Sequence, residues 1–165
     1  MKIFPLIGIL LLTVFCPVLA WGGDSTLLMT FKTHVNQTIL KNELRAGLWE
    51  NGKDGFDPLD MDAMVNGVFD AYFVPSQTRG SSNRFLWWDI RSLSPSQVWK
   101  IQVKAPSGQR VLLEWKIIPF DLSNPSIWYS VVDTETGQET DLNNPSGTFT
   151  FSTSGKKTFI LKSHP

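Results

Sequence analysis

The sequence predicts an all-β fold, an antiparallel β-sandwich that follows a cleaved signal peptide. Three observations predict it: an apolar leader, a period-two alternation of apolar and polar residues beyond it, and Pro and Gly residues that interrupt the alternation at the spacing of short strands. Successive side chains of a strand point to opposite faces, so half-buried strands require a period of two. A sandwich buries one face of each strand and leaves the other in water.

The leader occupies residues 1–20. Lys2 precedes a mostly apolar run over 3–15, and Val18-Leu19-Ala20 place small or apolar residues before a cleavage site after Ala20. The run is shorter than the roughly 20 apolar residues that span a bilayer. We therefore predict an extracytoplasmic protein, secreted, at the cell surface or periplasmic, with no transmembrane segment in the mature chain.

The chain after the leader is long enough for one domain with its own core. We predict a single β-sandwich domain over 21–165, with 97–165 as its most regular part. The sequence carries 15 basic and 15 acidic side chains, a balance that does not favour nucleic acid as a partner. Its only Cys, Cys16, lies in the leader, so the domain has no disulfide and no catalytic thiol.

The first strands follow from the alternation. Apolar residues at odd positions of 27–32 and at even positions of 43–48 each predict a strand with one buried face. Asp57-Pro58 is suited to open a short helix, because Pro is favoured at the first helical position. Gly67 weakens any longer helix, and we predict a loop followed by a strand over 68–73.

An exposed loop is predicted at 75–83, where Pro, Gly and Ser are frequent, and a strand at 85–91. Two alternating runs then flank the turn signal Ala105-Pro106-Ser107-Gly108, which predicts a hairpin over 97–117. The remaining predicted strands are 126–132, 147–153 and 157–162, the last two joined through 154–156.

Several short motifs in this order resemble secreted bacterial immunoglobulin-like β-sandwich modules, of the kind found in surface proteins, in the flagellar hook cap and in secretion-associated proteins. The motifs are Leu44-Arg45-Ala46-Gly47, Asp54-Gly55-Phe56-Asp57, Ala71-Tyr72-Phe73, Asp89-Ile90-Arg91, Trp99-x-Ile101-x-Val103 and Leu113-x-Trp115. The resemblance covers most of residues 40–162. It implies an immunoglobulin-like or jelly-roll-like antiparallel sandwich in a surface setting and says little about activity.

An acidic loop is the first candidate site. Asp54, Asp57, Asp60 and Asp62 lie within nine residues of one another. Ca²⁺ prefers carboxylate, carbonyl and water oxygens, and clustered Asp in a loop with Gly can supply several, so these four residues are candidate metal ligands. Asp is equally the usual residue of turns and helix caps, and the spacing is not that of an EF-hand. Calcium and ordinary turn chemistry both fit the pattern.

Aromatic residues form the second candidate site. The sequence contains seven Trp, and Trp87 and Trp88 are adjacent, so on a strand they face opposite sides. An exposed Trp can stack on a sugar ring or anchor a protein partner, which makes Trp87, Trp88 and Trp128 candidate binding residues. Aromatic residues at strand spacing are also ordinary packing residues, and this alternative remains open.

Catalysis has weak support in the sequence. Only two His are present, and neither a Gly-x-Ser-x-Gly elbow nor a His-Glu-x-x-His motif occurs. We therefore predict a noncatalytic structural or adhesive surface module that contacts envelope or extracellular proteins. The alternative is a carbohydrate-binding module that contacts glycans and has a calcium-stabilised loop.

Overall fold

A computed structural model describes residues 23–75, 84–94, 96–119 and 127–164, and it confirms the all-β prediction. These residues contain no helix. The predicted signal peptide and most of the predicted loop at 75–83 lie outside the described residues. The strands are β1 (Gly23–Val35), β2 (Thr38–Trp49), β3 (Met61–Asp62), β4 (Asp70–Val74), β5 (Leu86–Arg91), β6 (Val98–Lys104), β7 (Arg110–Pro119), β8 (Trp128–Asp133), β9 (Glu139–Asp141), β10 (Ser146–Ser152) and β11 (Lys156–His164).

These strands form one curled sheet. Its order is β10-β7-β1-β2-β5-β4-β6-β11-β8-β9, and β3 pairs with β5 beside this path. Every pair is antiparallel except β2 and β5, which run parallel. The predicted antiparallel arrangement therefore needs one correction, at the β2–β5 pair. This pair joins the first half of the sheet, β10-β7-β1-β2, to the second half, β5-β4-β6-β11-β8-β9.

The two halves of the sheet share one hydrophobic core. Its largest fully buried side chains come from both halves and include Phe31 on one side and Phe73, Trp99, Tyr129 and Phe159 on the other. They belong to a single packed cluster. The period-two pattern thus places one face of each long strand in this core, as the sequence predicts.

A hydrogen bond joins the halves inside the core. The Ser25 hydroxyl on β1 lies 2.7 Å from the Tyr129 hydroxyl on β8, and both residues are buried. A buried hydroxyl needs such a partner, because an unpaired one would lose its bonds to water without replacement.

The predicted hairpin over 97–117 is wrong. β6 pairs with β4 and β11, whereas β7 pairs with β1 and β10, so residues 105–109 carry the chain from one half of the sheet to the other. Residues 153–155 do the same between β10 and β11. Alternation shows that both strands bury one face, but it cannot show whether they lie side by side or face each other across the core.

These two crossing segments are hydrogen-bonded to each other. The Ala105 N–H donates to the Gly155 carbonyl at 3.2 Å, and the Gly108 N–H donates to the Thr153 carbonyl at 2.8 Å. Gly108 and Gly155 have φ angles of 79° and 109°, a backbone region that favours glycine. The paired crossings close one end of the core.

The structure confirms the loop predicted after Asp57 and adds two short strands. Residues 57–60 form turns, and β4 follows close to the predicted range 68–73. β3 and β9 were not predicted, because two or three residues are too few to show a period.

Candidate functional site

The acidic loop is held by hydrogen bonds from backbone N–H groups to its carboxylates. Asp57 is buried, and its two carboxylate oxygens accept the N–H groups of Lys53 at 2.9 Å and Leu59 at 2.7 Å. Asp60 accepts the N–H groups of Asp57 and Ile90, each at 2.9 Å. Asp60 therefore ties the loop to β5.

The other two acidic residues point to different partners. Asp54 Oδ1 accepts bonds from the Ser92 hydroxyl at 2.7 Å and from Gln97 Nε2 at 2.8 Å, which connects the loop to the segment between β5 and β6. Asp62 forms an ion pair with Arg84. Asp57 and Asp60 thus hold the loop and β5, whereas Asp54 and Asp62 each bind a different part of the fold.

No group of three or more His, Cys, Asp or Glu within the described ranges is arranged to hold a metal ion. The hydrogen bonds are those of turn and capping chemistry, the alternative that the sequence left open beside calcium. The calcium site at Asp54, Asp57, Asp60 and Asp62 stays a prediction.

The Asp60 carboxyl has an unusual ionisation. Burial raises the pKa of Asp60 to about 6, while the hydrogen bonds from Ile90 and Asp57 act in the opposite direction. Asp89 and Asp57 add smaller charge repulsion that also raises this pKa. The loop therefore contains one carboxyl that changes charge within the mildly acidic range.

Trp87 and Trp88 lie on β5 and are both half-buried. Trp87 packs against the hydrophobic core. The guanidinium of Arg45, whose register partner on β5 is Trp88, lies 4.4 Å from the centre of the Trp88 ring. Each ring already has a packing partner, as expected of structural aromatic residues.

Trp128 lies on β8, separated from β5 in the sheet by three strands. Its ring stacks on His164, with 3.8 Å between the ring centres and 13° between the planes. The structure therefore brings Trp87 and Trp88 to one strand and places Trp128 elsewhere, and the three rings do not form one row. Their role in binding stays a prediction.

A polar cluster that the sequence did not reveal lies next to Trp128. The buried Ser130 hydroxyl donates to Glu139 Oε1 at 2.6 Å and lies 2.9 Å from His164 Nε2. Because the hydroxyl hydrogen is engaged by Glu139, the histidine nitrogen is the donor in the second bond. The hydrogen bond from Ser130, followed by that from Lys162, lowers the pKa of Glu139. The cluster binds β8, β9 and β11 together.

A third feature is the edge strand β10, which among the described strands pairs only with β7. Ile117 donates to the Pro145 carbonyl and Thr153 donates to the Gln109 carbonyl, so the odd-numbered residues direct their N–H and C=O groups toward β7. The even-numbered residues then direct theirs to the open side. Those residues are Ser146, Thr148, Thr150 and Ser152, and all four are exposed.

A cavity of about 130 Å³ opens beside this edge, between β10 and the strands at the opposite end of the sheet. Three aromatic rings line it. Phe149 and Phe151 are only half-buried, and Phe151 makes an edge-on contact with the buried Phe159 at 4.7 Å between ring centres. Val131, Asp133, Gln138, Thr140 and Thr150 complete the lining.

The other end of the sheet is built differently. β9 has only three residues, and two of them, Glu139 and Asp141, carry negative charge. Short length and charge are the usual means of preventing unwanted strand pairing at an edge. β10 has seven residues with no charge and no Pro, and its register with β7 shows no bulge. The lack of charge is visible in the sequence as a run of alternating Thr and Phe, but the sequence does not show that this run lies at an edge.

No family model, no curated protein and no solved structure matches this chain. Over the described ranges, the structure has no helix that is long and apolar enough to cross a membrane.

Proposed function

We propose that this protein is a noncatalytic structural or adhesive module that acts outside the cytoplasm and makes contacts with other proteins by accepting an additional strand at β10. The single observation that carries the proposal is the edge of β10, with its outward N–H and C=O groups at Ser146, Thr148, Thr150 and Ser152. The apolar leader supports the extracytoplasmic setting.

Strand addition needs two things, a backbone ladder and a place for side chains. The ladder supplies affinity, and pockets beside it supply specificity. β10 supplies the first. The cavity lined by Phe149, Phe151 and Phe159 supplies the second, because the inward side chains of an added strand would lie next to the half-buried rings of Phe149 and Phe151.

A synthetic peptide of alternating Thr and Val, with Lys at each end for solubility, tests this proposal. We expect it to slow amide hydrogen exchange at Thr148 and Thr150, whose N–H groups point outward. Thr150→Pro removes one of these donors and no bond to β7, and it should weaken peptide binding at least about tenfold.

Thr150→Ala is the matched control, because it changes the same side chain and keeps the N–H group. It should bind the peptide more tightly than Thr150→Pro does. The proposal would be contradicted if Thr150→Pro bound the peptide as tightly as the original chain does, or if the peptide protected no amide of β10.

A further inference from the structure

We propose that the strand accepted by β10 is β10 of a second copy of this chain, which pairs in antiparallel orientation about a two-fold axis. This inference rests on the proposed function and specifies its partner. It follows from the charge and the side-chain pattern of the strand itself.

Charge favours self-pairing at this edge. A two-fold axis places a strand against itself, so charged residues in it would lie close to their own kind. The seven residues of β10 carry no charge, whereas a self-paired β9 would bring together Glu139 and Asp141 from two copies. The whole chain has a formal net charge of zero, so two copies also have no strong overall repulsion.

Charges on the neighbouring strand stay apart in such a dimer. Arg110 and Lys116 on β7 are exposed and flank the two ends of β10. Three strand spacings, about 14 Å, would separate the β7 strands of the two copies. This exceeds the screening length of about 8 Å at physiological salt, so their mutual repulsion is weak.

The side-chain pattern of β10 also suits pairing with a second copy. With the axis at Phe149, Thr148 of one copy pairs with Thr150 of the other through their outward N–H and C=O groups, and Ser146 pairs with Ser152. The ladder would contain up to about eight hydrogen bonds. Both Thr residues lie on the exposed face, where Thr–Thr pairs are favourable.

On the opposite face, the same arrangement places Phe149 beside Phe149 of the second copy. Phe149 and Phe151 are half-buried, although both pack against the core. An added strand that covers them must have apolar residues inward at every second position and polar residues outward. The inward residues of β10 are Gly147, Phe149 and Phe151, so in this register Phe149 of the second copy lies beside Phe149 and diagonal to Phe151, while its Gly147 lies opposite Phe151.

Sedimentation of the chain over a range of concentrations tests the inference. We expect a monomer–dimer equilibrium that Thr150→Pro weakens at least about tenfold. Thr150→Ala keeps the backbone N–H group and loses only the side-chain part of the Thr–Thr pairs, so it should weaken the dimer less than Thr150→Pro does. Thr150→Lys keeps the backbone donor but brings two like charges close to the axis. Its dimer should be weakened at low salt and partly recovered at high salt.

A mixture of Thr150→Lys and Thr150→Glu chains should form a heterodimer more readily than either variant forms a homodimer, because the charges then attract. This outcome does not depend on the Pro variant, and it remains informative if that variant fails to fold. An unchanged dimer in Thr150→Pro that is folded by near-ultraviolet circular dichroism would overturn the inference.

The two proposals fail in different ways. A chain that stays monomeric while the Thr-Val peptide still protects Thr148 and Thr150 overturns the second copy as partner and leaves strand addition standing. A chain that stays monomeric and binds no peptide overturns both.

Discussion

Gly147 lies against the ring of Trp115, so closely that a Cβ atom at position 147 would stand 2.2 Å from Cζ2 of the indole. The two residues are register partners on β10 and β7. Trp115 is buried, and its Nε1 donates to the Asn144 carbonyl at 3.2 Å, just before β10 begins. The absence of a side chain at Gly147 lets the indole reach across the edge strand and hold it to the sheet.

Gly147→Ala should therefore destabilise the fold. The added methyl group overlaps a buried ring that cannot move freely, and overpacking of this kind costs about 1–3 kcal/mol. The free energy of unfolding from urea denaturation measures the loss. Thr148→Ala, one residue along on the exposed face, is the control and should change stability by less than about 0.5 kcal/mol.

Trp115→Leu combined with Gly147→Ala tests the cause. The smaller side chain leaves room for the methyl group, so the double variant should lose less stability than the sum of the single losses. Strict additivity would show that the contact does not limit residue 147.

The Asp60 carboxyl predicts a pH dependence of stability. Its pKa is raised to about 6 in the folded protein, and an Asp in the unfolded chain titrates near 4. Between about pH 4 and 6 the folded state keeps a proton that the unfolded state has lost, so raising the pH through this window lowers the free energy of unfolding. The stabilisation that comes from this retained proton is fully present below about pH 4 and is lost above about pH 6.

Asp60→Asn removes this titration. The stability of the original chain minus that of the variant should fall as the pH rises from 4 to 6 and then stay level. Urea denaturation at each pH gives both values, and the difference cancels the contributions of the other carboxyl groups. A difference that is constant or rises over this range would show that Asp60 titrates like an ordinary carboxyl.

The hydrogen bonds in the acidic loop predict that calcium does not change the stability of the fold. Asp57 already accepts two backbone N–H groups, and Asp60 accepts two more. We expect the melting temperature of the chain to be the same in millimolar Ca²⁺ and in excess chelator. A rise of several degrees in Ca²⁺, abolished by Asp57→Ala together with Asp60→Ala, would instead identify a calcium site.

Lys157 should contribute more to stability than other lysines in ion pairs. Its side chain is 7% exposed, and its ammonium lies 2.8 Å from Asp133 Oδ2 and 3.0 Å from Glu135 Oε2. Lys157→Met leaves Asp133, which is itself largely covered, without its cation, at a cost of about 1–3 kcal/mol.

Lys162→Met is the matched control. Lys162 is in the same strand and pairs with Glu139, but both side chains are more than a third exposed. Such a pair contributes less than about 1 kcal/mol. Equal losses in the two variants, measured by urea denaturation at pH 7, would contradict the assignment of Lys157 as a buried partner.

The sequence predicted the strands well, because burial on one face imposes a visible period. The 99–103 run and the 157–162 run are both recovered, and Trp99 and Phe159 are buried as that period requires. It did not predict which strands pair. β6 and β7 bury residues in the same core whether they are adjacent or opposite, so the error over 97–117 arose from topology.

The site was harder to predict, because it consists of backbone groups. Nothing in the composition of 146–152 distinguishes an edge strand from a central one, and the outward N–H groups appear only when the register with β7 is known. The acidic loop is the opposite case, because there the side chains suggested a site. Its four Asp residues are close in sequence and suggested a shared metal ion, yet the fold directs Asp54 and Asp62 to separate partners.

Residue-resolved amide exchange along β10, measured at a low and a high protein concentration, tests the central claim most directly. Phe149 and Phe151 donate to β7, so their amides should be protected at both concentrations. Thr148 and Thr150 should exchange quickly at the low concentration and become protected at the high one. Exchange at Thr148 and Thr150 that does not change with concentration would contradict the pairing of β10 with a second copy.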